Sequence, residues 1–428
     1  MKLNIKILVP ILGLIVLLGC SSNKKNKSPI TKDTTQEMTA AKILGNPDYL
    51  AISYGGYRKK TREIQPTILE LKEDLKLLHA MGIRILRTYN VQPNFPHASN
   101  ILKAISLLKK EDPNFKMYVM LGAWIDCLNA WTDKAPNHDI ESDQNEGEIE
   151  RAVALANKYP NIVKVIAVGN EAMVRWATSY YVQPNVILKW VNHLQELKKK
   201  GDLPKDLWIT CSDDFASWGG GDESYRVKDL EDLIKAVDYV SMHTYAYHNS
   251  HYNPEFWKVP DNEYQLSDKE KIDNSMLRAL EFAKKQYQDV SEYVKSIDNS
   301  KPIHIGETGW ATTSSGFYGV NGSRATDEYK QGLYYNQLRE WTNKEGISCF
   351  YFEAFDEQWK DAQNVSGSEN HFGLFTLKGQ AKYPIWNLVD KGIFDGFSRN
   401  GNPITKSFNG NFEVLMEEVL VPNTSYNR

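Results

Sequence analysis

Cysteine is scarce, with four in 428 residues. Cys20 lies in the N-terminal segment, and Cys127, Cys211 and Cys349 are far apart, in or beside apolar strands. No Cys-x-x-Cys occurs and no Cys/His spacing suits zinc, so no metal site is expected. The three remaining cysteines read as buried free thiols, or as one disulfide plus one thiol outside the cytoplasm. An excess of charge of one sign is also missing. The balance of 51 Lys and Arg against 54 Asp and Glu leaves a net charge of −3, which gives no electrostatic reason to expect nucleic acid. Lys198-Lys199-Lys200 lies beside a helical pattern and reads as a solvated face. No short repeat is present. The apolar stretch Ile7 to Leu18 is broken by Pro10 and Gly13 and is short for a spanning helix.

What the N-terminus does contain is a positive start (Lys2, Lys6), that apolar stretch, and then Leu17-Leu18-Gly19-Cys20-Ser21-Ser22. This order resembles the bacterial lipoprotein box. It implies a signal peptide over 1–19 and lipidation at Cys20, with acyl chains holding the protein on a membrane. Ser21 after the cysteine resembles an outer-membrane sorting signal, so an exported, outer-membrane lipoprotein is expected. Residues 20–45 then form the lipidated start and a Ser, Asn, Lys and Thr-rich tether.

From Asp48 onward, short apolar strands alternate with longer amphipathic stretches. Strands are expected near 49–55, 83–89, 116–122, 162–169, 206–212, 237–244, 302–307 and 347–354. Eight strands in βα repetition predict an α/β fold, a (β/α)8 TIM barrel forming a single catalytic domain over 46–395. In 67–81, Ile68, Leu71, Leu75, Leu78 and Met81 recur at helical spacing, and Gly82 ends the pattern. Helices are likewise expected at 185–200 and 325–344, and a closing one from Tyr383 to Asp390. The long interval 248–301 is expected to hold an inserted loop and one long helix. Residues 396–428 are set apart as a C-terminal extension.

Catalytic groups of such barrels sit at the C-terminal ends of strands. The fourth strand runs into Gly169-Asn170-Glu171 and the seventh into Gly306-Glu307-Thr308-Gly309-Trp310. Both end in a carboxylate beside a glycine, and the two can face each other across the barrel mouth. Cleavage of a glycosidic bond needs such a pair, one protonated and one ionised. The chain is also rich in aromatics, with 11 Trp and 23 Tyr. Tyr54, Trp124, Trp176, Trp218, Trp310 and Trp359 fall at strand ends, where each serves either sugar stacking or packing. As a ring they suggest a carbohydrate cleft, led by Trp310 and Trp124.

Val168-Gly169-Asn170-Glu171 and Gly306-Glu307-Thr308-Gly309-Trp310 resemble the two signatures of glycoside hydrolase family 17, the β-1,3-glucanase family. Arg87-Thr88-Tyr89, the block Phe352 to Lys360 and the block Glu369 to Phe375 are similar to further family motifs. The resemblance spans about 50–385. It implies a retaining mechanism without cofactor, with Glu171 as acid/base and Glu307 as nucleophile. Asn170 would bond the sugar 2-hydroxyl, Arg87 would keep Glu307 ionised, and Glu171 would have a raised pKa. Tyr245 would donate to Glu307 or simply pack. Tyr89 belongs to the supporting set, and Glu357, Lys360 and Glu369 match family positions as sugar contacts or rim ion pairs. Two positions depart from the family pattern. His243-Thr244-Tyr245 stands where Asn-x-Tyr-Pro is usual, and Asn90 where Asp is common.

The expected function is a monomeric, retaining endo-β-1,3-glucanase acting on laminarin-like β-glucan. The same site admits a β-1,3-glucan transglycosylase. His243 raises a β-1,4- or mixed-linkage glucanase as a further alternative. A catalytically inactive glycan-binding lipoprotein is the reading from outside the enzymes.

Overall fold

The computed structural model describes residues 38–424. The expected signal peptide, Cys20 and most of the tether lie outside the described residues. Eight parallel strands form a closed barrel: β1 Leu50–Ser53, β2 Ile83–Arg87, β3 Tyr118–Ala123, β4 Val163–Asn170, β5 Trp208–Asp214, β6 Val240–His243, β7 Ile303–Gly309 and β8 Cys349–Phe352. Each pairs with its sequence neighbours, and β1 closes on β8 through Ala51–Phe350 and Ile52–Tyr351. All eight expected strands are present.

Period-two alternation sorts their side chains. Ala51, Ile85, Tyr118, Met120, Val165, Ala167 and Phe350 fill the barrel, while Ile52, Leu86, Val119, Leu121, Ile166 and Val168 pack outward under the helices. The helices begin and end at local signals. Thr67 and Glu70 form a capping box ahead of Ile68–Ala80, and Gly82 follows at φ +88°. Pro184 opens Pro184–Lys200, and Gly201 closes it in the left-handed region. The interval 248–301 holds short turns and one 30-residue helix, Asp268–Ile297, capped by Ser267 and Glu270. A small hairpin after β3, Cys127–Leu128 with Asn137–Glu141, was not expected. Its strands are short and polar, and carry no alternation to read. Cys127, Cys211 and Cys349 are buried free thiols.

Both ends of the expected barrel need correction. The expected tether over 20–45 runs too far: a short helix, Ala40–Ile43, buries Ala40, Ile43 and Leu44 against the interior side chains at the N-terminal end of the barrel. An otherwise open barrel floor gives these apolar residues a place to bury, at about 1.5–3 kcal/mol for each large side chain. The C-terminal segment is likewise part of the body. Arg399, in the hairpin Ser398–Arg399 with Asn402–Pro403, is fully buried, and Leu415 of Phe412–Glu417 joins the core.

Arg399 meets Asp74 of the helix Ile68–Ala80 at 2.8 Å. Asp74 also takes Arg58 at 2.7 Å and the Tyr54 hydroxyl at 3.0 Å. One buried carboxylate thus bridges two buried guanidinium groups, and Glu73 supplies Arg58 with a second negative charge at 2.8 Å. Removing Asp74 takes the paired carboxylate from Arg399 and leaves Arg58 with Glu73, so Asp74→Ala is expected to lose about 3–5 kcal/mol of stability in urea unfolding. A loss below about 1 kcal/mol, the scale of an exposed pair, would contradict this account.

Candidate active site

Both strands that carry the carboxylates contain one residue too many for their neighbours. In β4, Ala167 pairs with Thr210 and Asn170 with Ser212, so three steps face two. In β7, Ile305 and Glu307 pair with consecutive Met242 and His243, and the β8 side shows the same shift. These are bulges, and each falls at a glycine. Gly169 has φ +80°, and an added Cβ would lie 2.8 Å from that of Ala172. An added Cβ on Gly306 would collide with the Ser212 and Ser241 hydroxyls. Each bulge reverses the alternation, so Asn170 and Glu307, outward by strict parity, turn into the barrel mouth. Glu171 follows in the left-handed region at φ +47°, its N–H bonded to the Ser212 carbonyl at 3.0 Å.

Glu307 is buried and fully bonded. Arg87 Nη1 lies 2.7 Å from Oε2, the Tyr89 hydroxyl donates to Oε2 at 2.6 Å, and the Tyr245 hydroxyl donates to Oε1 at 2.7 Å. The open choice for Tyr245 thus resolves to a bond with Glu307. Arg87 also donates to the Gly306 carbonyl at 2.8 Å and to Asn170 Oδ1 at 2.5 Å. Glu171 has a different neighbour. His243 Nδ1 lies 3.0 Å from its Oε1, and His243 Nε2 lies 2.8 Å from the Ser212 hydroxyl. The buried Asp213 accepts the N–H of Met173 at 2.7 Å and so braces the turn that carries Glu171.

The two carboxyls are pushed apart in acidity. Burial raises the pKa of Glu171, and the negative charge of Glu307 raises it further, to about 8. Burial alone would also raise Glu307, but the Arg87 charge and the two tyrosine hydroxyls outweigh it and hold that group below the usual carboxylate range. His243 is pushed down to about 3 by burial and by Arg87. It is therefore neutral at neutral pH. One oxygen of Glu171, one of Glu307 and a nitrogen of His243 lie within 4.8 Å of one another, close enough to share a cation. Arg87 already supplies positive charge there, and both His243 nitrogens are engaged.

Around this pair lies an open cleft of about 590 Å³. Asn170, Glu171, Glu307, Tyr89 and Asn90 form its middle, Trp124 and Trp131 one flank, and Tyr57, Arg62 and Trp359 another. Glu357, Lys360 and Glu369 also border it. Lys360 meets Glu353 at 2.6 Å and Glu357 at 3.4 Å, so rim ion pairing and access to a ligand coexist.

Several expected aromatics are not in the cleft. Tyr54 continues the outward parity of β1 and commits its hydroxyl to Asp74. Trp310, past the end of β7, is fully buried among Tyr247, Trp257 and Tyr334, with its indole N–H on the Ala325 carbonyl at 2.7 Å. Trp218 is buried with its N–H on the Ser241 carbonyl, and Trp176 is exposed away from the cleft. Sequence reasoning missed Tyr57, Arg62, Trp131 and Asp213. The first three sit in irregular loops, where no periodicity assigns direction. Asp213 stands one residue before the end of β5 and Glu171 just past the end of β4, a signal that was available.

Residues 51–373 match the sequence model of the BtgE/BtgC glycoside hydrolase domain. The solved structure of an endo-laminarinase from Formosa Hel1_33_131 is 65% identical, covering 91% of this chain and 99% of that one, with a TM-score of 0.89. A glucan 1,3-beta-glucosidase of Arthroderma benhamiae is 27% identical over 330 residues, which is 75% of this chain and 86% of its own. A glycoside hydrolase family 17 β-1,3-glucanosyltransferase from Rhizomucor miehei is similar in fold, at 19% identity, a TM-score of 0.53, and coverage of 79% of this chain and 96% of that one.

The mutual electrostatics of the pair can be measured directly. In Glu307→Gln the negative charge facing Glu171 is gone, so the Glu171 pKa is expected to fall from about 8 toward the ordinary range. Tyr245→Phe removes a bond to ionised Glu307 and is expected to raise that group's pKa. Carbon-13 carboxyl NMR titration reads both; an unmoved Glu171 in Glu307→Gln would show that the carboxyls are not coupled, and an unmoved Glu307 in Tyr245→Phe that the tyrosine does not tune it.

Proposed function

Because the chain belongs to the BtgE/BtgC glycoside hydrolase family, we propose that it hydrolyses internal β-1,3 linkages of laminarin-like glucan with retention of configuration. The observation that carries this reading is the carboxyl pair itself. Its oxygens come within 4.8 Å, and its members are biased to opposite protonation states. Retaining enzymes hold their carboxyls about 5–5.5 Å apart, whereas inverting ones leave about 6.5–9.5 Å for a water. The likeness to an endo-laminarinase at 65% identity supports the linkage, and a cleft lined on both flanks of the pair suits attack within a chain.

In this reading Glu307 attacks the anomeric carbon while Glu171 gives its proton to the departing oxygen. The resulting ester cancels the Glu307 charge. The pKa of Glu171 then drops, which suits its second task of taking a proton from the incoming water. Asn170, held by Arg87, would bond the sugar 2-hydroxyl. Transfer to a second sugar uses the same ester, so product length separates hydrolysis from transglycosylation. The test is incubation with laminarin. Short β-1,3-oligosaccharides are expected, and Glu307→Gln is expected to lower the rate at least about 10³-fold. Lengthened or branched products would replace hydrolysis with transfer, and products only from β-1,4 or mixed-linkage glucans would overturn the linkage. The reactive form needs Glu307 ionised and Glu171 protonated. The kcat/KM profile is therefore expected to fall above about pH 8 and, on the acid side, as Glu307 gains its proton.

The N-terminal reading remains part of the proposal. Lipidation at Cys20 would place the enzyme, as a monomer, on the outer membrane. Fatty-acid labelling of the expressed protein is expected, with loss in Cys20→Ser, and equal labelling of both would refute it.

A further inference from the structure

Beyond Glu171, on the β3 side of the cleft, stand two indoles. Trp124 follows β3, and Trp131 sits in the loop of the small hairpin. Both border the cleft. Trp131 is 63% exposed, yet it holds φ at +60°, a conformation bulky residues rarely adopt. Tyr180, from the loop after Glu171, stacks on its ring at 5.0 Å and 23°, and packs against Trp124 at 5.2 Å. One carboxylate faces both indoles. Trp124 Nε1 donates to Asp126 Oδ2 at 3.2 Å, and Trp131 on the same side helps to hold down the Asp126 pKa against burial. Asp126 is itself anchored, its N–H on Asn145 Oδ1 at 3.1 Å and its carbonyl accepting from Asn145 Nδ2 at 2.9 Å. A large ring kept in water on a strained backbone offers mainly a flat apolar face. That is the surface on which the C–H face of a pyranose rests.

The position of Glu171 assigns the direction of the substrate. Its proton must reach the oxygen between the sugar attacked by Glu307 and the sugar that leaves. The leaving sugar therefore lies past Glu171, away from Glu307. β3 is the neighbour of β4 on that side, and its end carries Trp124. Tyr57 and Trp359, on the loops after β1 and β8, flank the retained part. Resting on the hydrolase reading above, we propose that Trp124 and Trp131, oriented by Asp126 and Tyr180, form the binding subsite for the leaving, reducing-end portion of the β-glucan chain. Trp131 then determines how much binding energy the enzyme draws from sugars beyond the scissile bond.

The test compares two substrates with the full-length protein. Laminarihexaose fills both flanks of the cleft, whereas 4-nitrophenyl β-laminaritrioside carries no sugar beyond the bond that breaks. Turnover of both by the wild type establishes the hydrolase reading by itself, and its absence would sink that reading rather than this one. Trp131→Ala is expected to lower the hexaose-to-aryl ratio of kcat/KM by roughly tenfold, mainly through the hexaose KM. Activity retained on the aryl substrate shows that the variant is folded. Trp131→Phe, which keeps a flat ring, is expected to recover most of the ratio. With hexaose labelled at its reducing end, the cleavage point is expected to move toward the label in Trp131→Ala. An unchanged ratio, equal losses on both substrates, or a larger loss on the aryl substrate would overturn the proposal.

Discussion

Arg87 carries a full positive charge into an interior where it is 1% exposed. Burying an unpaired guanidinium would cost many kcal/mol, so the surrounding structure has to answer it. The answers come from two other strands. Glu307 and the Gly306 carbonyl reach it from β7, and Asn170 reaches it from β4. The same side chain thus fixes the ionised carboxylate, orients the amide beside the second one, and pulls both bulged strand ends toward the barrel axis. The two tyrosines on Glu307 and the neutral imidazole on Glu171 complete an arrangement whose sign Arg87 sets.

The asymmetry between the two carboxyls follows from which partners each one has. Glu307 receives a cation and two hydroxyl donors. Glu171 receives a histidine that burial keeps uncharged, and it faces the negative charge across the gap. Neither environment is symmetric under exchange of the pair, so the two carboxyls are not interchangeable. His243, which departs from the family pattern, sits at the point where this difference is made. Its second nitrogen meets Ser212, and Ser212 in turn lies 2.9 Å from Ser241. A cationic residue at that position would bias Glu171 toward ionisation and erase the difference between the two carboxyls.

Much of this could be read from the chain. Apolar runs ending in Asn170-Glu171 and Gly306-Glu307 announced both the strands and the groups at their ends, because barrel strands bury nearly everything except their tips. Arg87 and Tyr89 were legible for the same reason. Tyr54 was misplaced, although strict alternation from Ala51 and Ser53 points it outward. Glu307 breaks that same alternation and was found by its company, since a bulge is visible in sequence only as a glycine. Trp310 and Trp131 show a harder limit. Once a strand ends, the direction of the next side chain depends on loops contributed by distant segments, and local pattern holds no record of them. The N-terminal boundary failed for a related reason. Ile43 and Leu44 look like isolated apolar residues in a polar stretch until the barrel floor they cover is known.

The cluster at Asp74 joins segments made at very different times. Arg58 lies in the loop after β1, beside Tyr57 of the cleft wall, and meets Asp74, Glu73 and also Asn400. Arg399 arrives at the same carboxylate from more than three hundred residues later. On a ribosome, the first loop of the cleft is synthesised early and its last tie late. Until residues 399 and 400 have emerged, Asp74 lacks one of its two cations and Arg58 lacks one of its acceptors. The order of synthesis therefore delays completion of the cleft rim until residue 400 has been made, and a nascent chain that has passed Glu307 but not yet reached that point carries both carboxylates without a finished wall beside them.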